Sequence, residues 1–231
     1  MNNNTVNNLL KLVHDNYNEI AADFNTTRKK EIWPEMLLFT KNIKDGDRVL
    51  DLGCGNGRLI EALKDKKIEY LGIDNSESLI KFASDNYPGY RFIVSDILNL
   101  DIIQGEKFDY IFCLATLQHL PSRELRVQAL RSMKNSLSED GKIIISNWNM
   151  WAIRKYYFLI IKSFFNKIIF KNNLEFGDII FPWKNSKGQE TSERYYHAFR
   201  KNELSRLAKL AGFSNIVIRK DNYNYWLLLK K

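Results

Sequence analysis

Between residues 5 and 24 apolar side chains return every three or four positions: Val6, Leu9, Leu10, Val13, Tyr17 and Ile20 fall on one face, which predicts an amphipathic N-terminal helix. Trp33-Pro34 opens a second helical stretch leading to Asp45-Gly46. From there the pattern changes. The β-rich runs RVLDL, IEYLGID, YRFIVSD, FDYIFCLA and KIIISNW are separated by helix-length segments, and SNIVIRK and YNYWLLLK follow near the end. Strands alternating with helices imply a mainly parallel sheet with crossover helices. Helix signals fall between the runs: NSESLIKFASDNY can be capped by Asn75 or Ser76, and PSRELRVQALRSMKNSLSEDG is read as ending at Gly141. The last two runs are separated only by Asp221-Asn222, so they predict a hairpin and an antiparallel strand joining the parallel sheet.

Residues 149–199 do not follow this alternation. They begin as a Lys-studded helix candidate, MWAIRKYYFLIIKSFFNKIIF, and continue as the polar, loop-like GDIIFPWKNSKGQETSERYYHAF. An insertion after the fifth strand lies over the carboxyl ends of the strands, where ligands bind in open α/β sheets, so this segment is expected to shape a substrate site. The whole chain reads as one domain: an N-terminal helical extension (1–45), a core (46–148), the insertion (149–199), and a C-terminal helix and hairpin (200–231).

Composition narrows the class. With 231 residues, 45% hydrophobic and 27% charged, the chain can bury one sizeable core. A net charge of +8 favours a polyanionic partner, while Lys and Asn spread along the whole chain fit compositional bias equally well. Cys54 and Cys113 make neither a C-x-x-C pair nor a disulfide framework, so a reducing, cytoplasmic setting is expected. The N-terminus lacks the basic and apolar segments of a signal peptide. The longest apolar stretch, 156–170, is broken by Lys162 and Lys167 and falls short of the roughly 20 residues a bilayer span needs, so no stable membrane insertion is expected.

The string VLDLGCGNGRL is a strand, a glycine turn and a helix start. Gly53, Gly55 and Gly57 permit tight turns and close approach of a ligand, with free N–H groups beyond them. The spacing is G-x-G-x-G, and Arg58 stands where the nicotinamide fingerprint needs its last glycine, so a nicotinamide cofactor is the weaker reading. Asp74 closes the second strand, where a carboxylate accepts from ribose hydroxyls. Asp96, followed by Ile97, closes the third, where it meets an adenine amino group. With Asp51 these are three acids at the carboxyl ends of three successive strands; the bland readings are that Asp51 buttresses the turn and Asp96 caps a helix. Over residues 48–146 the constellation resembles the class I methyltransferases. The resemblance implies S-adenosylmethionine as cofactor and a Rossmann-like α/β fold. That fold is a doubly wound, mainly parallel seven-stranded sheet with an antiparallel C-terminal strand.

Two flanking stretches narrow this further. YNEIAADFNTTRKKEIWPE, and FPWKN followed by RYYHAF, resemble the tRNA wobble-uridine carboxymethyl methyltransferases. The chain departs from that pattern at Gln118-His119-Leu120, where a second histidine or a tryptophan is expected, and in its apolar insertion. The resemblance implies methyl esterification of 5-carboxymethyluridine in tRNA. It also implies a small zinc-binding activator subunit, for which YRFIVSD is the pairing edge. It places Arg28, Arg194, Tyr195 and His197 at the carboxylate and uridine, and His119 near the methyl group.

Each assignment has a structural alternative. Arg28 opens an Arg-Lys-Lys run that a solvated face would explain, Tyr195 and Tyr196 suit a core, and His119 suits a cap. Trp183 either stacks on a base or plugs the insertion onto the sheet, and both cysteines read as packing residues. With three histidines and no ligand spacing, no metal is expected. Two other functions stay open: a quinone- or lipid-type methyltransferase whose segment 151–170 lies at a membrane surface, and an inactive, partner-binding form of the fold.

Overall fold

The computed structural model describes residues 1–27, 32–170, 173–185 and 187–231. Its strands are β1 (Arg48–Leu52), β2 (Glu69–Asp74), β3 (Arg91–Val94), β4 (Phe108–Leu114), β5 (Leu137–Trp148), β6 (Asp178–Lys184), β7 (Glu190–His197), β8 (Asn215–Lys220) and β9 (Asn224–Lys230). Seven of them form one sheet in the order β3-β2-β1-β4-β5-β9-β8. The first five pair in parallel; β9 runs antiparallel to both β5 and β8, as the terminal hairpin signal predicts.

Alternate residues of each strand serve opposite faces, and both faces are buried. Leu50, Leu52, Ile73, Ile111, Ile143 and Ile145 pack on one side against α5 (Arg123–Ser136) and α7 (Lys201–Leu210), through Leu130, Met133, Leu204 and Leu207. Val49, Tyr70, Phe112, Ile144 and Trp226 pack on the other, against Met36 of α3 (Pro34–Thr40) and Leu59, Ile60 and Leu63 after the glycine turn. Burial on both faces is why these strands read as continuous apolar runs. α4 (Glu77–Asn86) is capped by Ser76, whose Oγ accepts from Leu79 N at 3.2 Å; of the two candidates, the serine does the work.

Local structure differs from the sequence reading at four places. The N-terminal helix is two helices, α1 (Asn3–Glu19) and α2 (Ala21–Thr27), meeting at the buried Ile20. The segment after the glycine turn is a short 3-10 helix, Arg58–Ala62, in place of an α-helix. α5 stops at Ser136, short of Gly141, because Leu137 is fully buried in β5 opposite Phe108. The loop-like half of the insertion is a hairpin: β6 and β7 form their own antiparallel two-stranded sheet. Pro182 disguised it, since proline is excluded from central strands but tolerated at a sheet edge. The hairpin packs with α6 (Arg154–Phe170) around Met150, Ile160, Ile179, Phe181, Tyr196 and Ala198.

Candidate functional site

The carboxyl ends of β1, β2 and β3 open into one cavity, and all but one of the residues the sequence assigned to a cofactor meet there. Asp51, Gly53, Gly55, Asp74, Asp96 and Ile97 all line it. Gly53 N and Cys54 N donate to Ile73 O at 2.7 and 3.1 Å, which ties the glycine turn to the end of β2. The turn needs glycine at Gly53 for two reasons: φ is +72°, and a Cβ would stand 2.2 Å from Thr116 Oγ1. Gly53→Ala should therefore abolish cofactor binding in a calorimetric titration; near-native affinity would refute this account of the turn. Gly57 lies outside the cavity lining. Its φ of +81° and the 2.9 Å from its missing Cβ to Tyr87 Cδ2 make it a packing position.

The acids differ in environment. Asp74 Oδ2 accepts from Gly55 N (2.9 Å) and Oδ1 from Ser76 N (3.0 Å); burial raises its pKa, partly offset by these N–H groups. Asp51 is buried with one hydroxyl donor, Tyr70 Oη at 2.8 Å, and burial pushes it up to about 7, aided by the nearby Asp74. Asp96 Oδ1 accepts from Leu98 N at 2.9 Å, so it caps a turn and lines the cavity at once. Both thiols are buried and raised by that burial, Cys113 to about 12, in keeping with packing roles.

The opposite wall comes from the N-terminal helices and the insertion. Leu10, Val13 and Tyr17 of α1 and Phe24 of α2 cover the cavity, and Trp148 and Tyr196 close it. His119, in a 3-10 turn (Leu117–His119) after β4, reaches into it. Its Nδ1 lies 3.2 Å from Tyr195 O and its Nε2 2.9 Å from Tyr17 Oη. A carbonyl only accepts, so Nδ1 carries the proton and Nε2 accepts from the tyrosine hydroxyl. Burial holds His119 down at about 4, with the hydrogen bond to Tyr195 opposing and the Arg194 charge assisting. At neutral pH it is an uncharged ring whose acceptor is already engaged. Tyr17 was missed by the sequence reading of roles, although it heads the YNEIAADF stretch.

Arg194 lies beside this wall in an aromatic setting. Its guanidinium carbon is 4.4 Å from the Phe181 ring, 4.7 Å from Trp183 and 5.5 Å from Tyr196. Among the described residues no carboxylate pairs with it, and its Nε is buried without a partner. Trp183 plugs the insertion onto the N-terminal helices, its Nε1 donating to Asp23 Oδ2 at 3.3 Å.

Tyr195 and His197, expected at the substrate, are not among the residues lining the cavity. Both are buried in an ionic network centred on Arg126, itself fully buried. Arg126 donates to Leu120 O (2.9 Å), Glu175 (2.9 Å) and Tyr195 Oη (3.2 Å), and lies 3.6 Å from Asp178. Tyr195 Oη donates to Asp178 at 2.7 Å, and His197 sits 2.7 Å from both Asp178 and Glu203. Burial would raise Asp178 and Glu203, but His197 and Arg126 hold both below the usual carboxylate range. Glu175, Asp178 and His197 form the one cluster among the described residues with metal-ligand proximity, and the positive charge there is the Arg126 guanidinium. The network joins the loop after β4 to the hairpin, so the Tyr195 carbonyl meets His119. Arg28 lies outside the described residues.

Comparison with known proteins gives consistent matches. Residues 43–212 match the family described as a methyltransferase domain. A Schizosaccharomyces pombe protein named tRNA (carboxymethyluridine(34)-5-O)-methyltransferase is 28% identical, over 95% of this chain and 96% of its own length. A Saccharomyces cerevisiae protein of the same name is 38% identical over 59% of this chain, which spans about half (47%) of that relative. Among solved structures, an S-adenosylmethionine-dependent methyltransferase from Methanosarcina mazei superposes with a TM-score of 0.67 at 17% identity, covering 87% of this chain and 99% of that one.

Proposed function

Because the chain belongs to the methyltransferase-domain family, we propose that it esterifies the carboxylate of 5-carboxymethyluridine at the wobble position of tRNA, with S-adenosylmethionine as methyl donor. The glycine turn and the acids at the ends of β1, β2 and β3 fit that cofactor. Gly53 lets the turn pass close against Thr116 at the cavity wall, and Asp74 and Asp96 line the same cavity. When bound, S-adenosylmethionine supplies a methyl group on a sulfonium.

The observation that carries the substrate class is the state of His119. A hydroxyl substrate needs a base to take its proton. The histidine in this pocket is uncharged, its Nε2 already accepts from Tyr17, and burial has made it a weak base. A carboxylate, with a reference pKa near 4, is ionised at neutral pH and requires no such base. Arg194, without an acid partner among the described residues, supplies the complementary charge. The substrate loses its negative charge as the ester forms, so a tight arginine grip would favour the ground state; the role of Arg194 is orientation. Tyr17, Trp148 and Tyr196 exclude water from the carboxylate. The names of the relatives in the two yeasts support the same substrate.

The decisive experiment is transfer of labelled methyl to tRNA carrying 5-carboxymethyluridine, read as an alkali-labile ester by nucleoside mass spectrometry. Arg194→Ala is expected to leave cofactor affinity unchanged and to lower kcat/KM by about a hundredfold, the scale of a lost positioning contact. Equal loss of cofactor binding would refute the assignment. The edge strand β3, with Val94 exposed, is the surface on which a small zinc-binding activator would pair. A cytoplasmic site of action belongs to the same reading; among the described residues no helix is long and apolar enough to cross a membrane.

A further inference from the structure

Outside the pocket, the insertion and Arg200, the residue that follows it, carry a second set of cations seated on rings, and this one faces solvent. Arg200 is exposed, with its guanidinium carbon 4.3 Å from the Trp151 ring and 4.8 Å from Phe176, two rings that are themselves stacked at 5.7 Å. Arg154 lies 5.7 Å from the ring of Phe158, which is 58% exposed, and Tyr157 stands edge-on to Trp151. Among the described residues neither Arg154, Lys155 nor Arg200 enters an ion pair, and α6 contains Arg154, Lys155, Lys162 and Lys167 but no acidic residue. The cluster is continuous with the cavity: Tyr156 packs on Phe181 (5.4 Å) and Trp148 (6.2 Å), and Trp148 lines the pocket.

We propose that this outer face, the first turns of α6 with Trp151 and Arg200, is the docking surface for the single-stranded RNA loop that carries the substrate nucleoside. The proposal rests on the tRNA reading above. Its chemistry is that of single-strand binding: exposed rings offer faces on which bases stack, and unpaired guanidinium edges meet phosphates. A guanidinium lying flat on a ring keeps its N–H edge free for that contact. An interfacial membrane helix segregates its cations from its apolar face. Here Arg154 and Arg200 are exposed and lie on the rings themselves, which favours a ligand that alternates phosphate and base.

The test uses the full chain and a labelled anticodon stem-loop carrying 5-carboxymethyluridine, with fluorescence anisotropy across a salt series and steady-state kinetics. For the double variant Arg154→Glu/Arg200→Glu, affinity should fall at least about tenfold. Its salt dependence should flatten by about 1.4 in log–log slope, at about 0.7 per single-strand phosphate contact. KM for the stem-loop should rise while kcat and cofactor affinity hold, which also shows that the variant is folded. Phe158→Ala should weaken binding without changing the salt slope. Wild-type affinity and KM in the double variant would overturn the proposal. So would a surface that serves lipid: binding of wild type to phosphatidylglycerol vesicles, lost in the double variant, with RNA affinity unchanged. If wild type binds cofactor yet makes no ester on the stem-loop, the substrate reading itself fails and takes the proposal with it.

Discussion

Arg126→Met is expected to lower the free energy of unfolding by about 3–5 kcal/mol, the cost of removing one partner from a buried ion pair. Methionine fills comparable space, so the loss reports charge more than volume. Arg126 is fully buried and faces Glu175, Asp178 and Glu203, and without it these acids share a buried site with only His197 and Tyr195. The pH dependence distinguishes this from a packing defect. In the wild type Asp178 and Glu203 are held below their usual range, so the stability they contribute is present above the unfolded carboxylate range and is lost only as pH falls through their still lower folded values. In the variant the acids keep His197 but lose the Arg126 guanidinium, and their folded pKa values rise. Its deficit should therefore be greatest near neutrality and shrink on acidification towards about pH 4. A deficit constant from pH 4 to 8 in denaturant titrations would mean that the arginine acts through packing alone.

Asp51→Asn should act in the opposite direction. Asp51 is pushed from 3.8 to about 7 by burial. In the cofactor-free protein the folded state therefore keeps a proton that the unfolded state releases between those values. Each unit of such a shift is worth about 1.4 kcal/mol. Because the folded pKa is the raised one, stability is highest below the unfolded value and declines as pH climbs, levelling off beyond about 7. Asparagine keeps an oxygen for the Tyr70 hydroxyl and has no proton to lose. The variant should match the wild type near the acid end and exceed it by several kcal/mol at pH 8. Parallel stability curves for the two proteins would sink this account of Asp51.

The sequence was most legible where one physical signal dominates. Two-faced burial writes itself as runs such as VLDL and KIIIS, and so the strands and their alternation with helices could be read directly. The glycine turn and the three acids were legible because turn geometry and strand ends fix their positions locally. What the sequence concealed depends on distant partners. Tyr195 and His197 read as substrate ligands because they share the RYYH block with Arg194; in a strand, neighbours face opposite ways, and the network of Arg126, far off in the chain, takes in the alternate residues Tyr195 and His197. Arg126 itself gave no signal, being one cation in a helix full of them. The hairpin was hidden by Pro182 and by a polar turn. Tyr17 showed only as a core position of an amphipathic helix, since its hydrogen bond to His119 spans two separate elements.

Among the described residues the insertion's two strands make no backbone ladder to the seven-stranded sheet; side chains such as Arg126, Trp151 and Trp183 hold them in place. For directed evolution this makes the hairpin an exchangeable cassette. A library varied along the outward positions of β6 and β7, with Tyr195, Tyr196 and His197 left alone, would explore new methyl acceptors while the turn that cradles the donor stays untouched. An inhibitor built to engage the hairpin would by the same logic discriminate among enzymes whose donor pockets look alike.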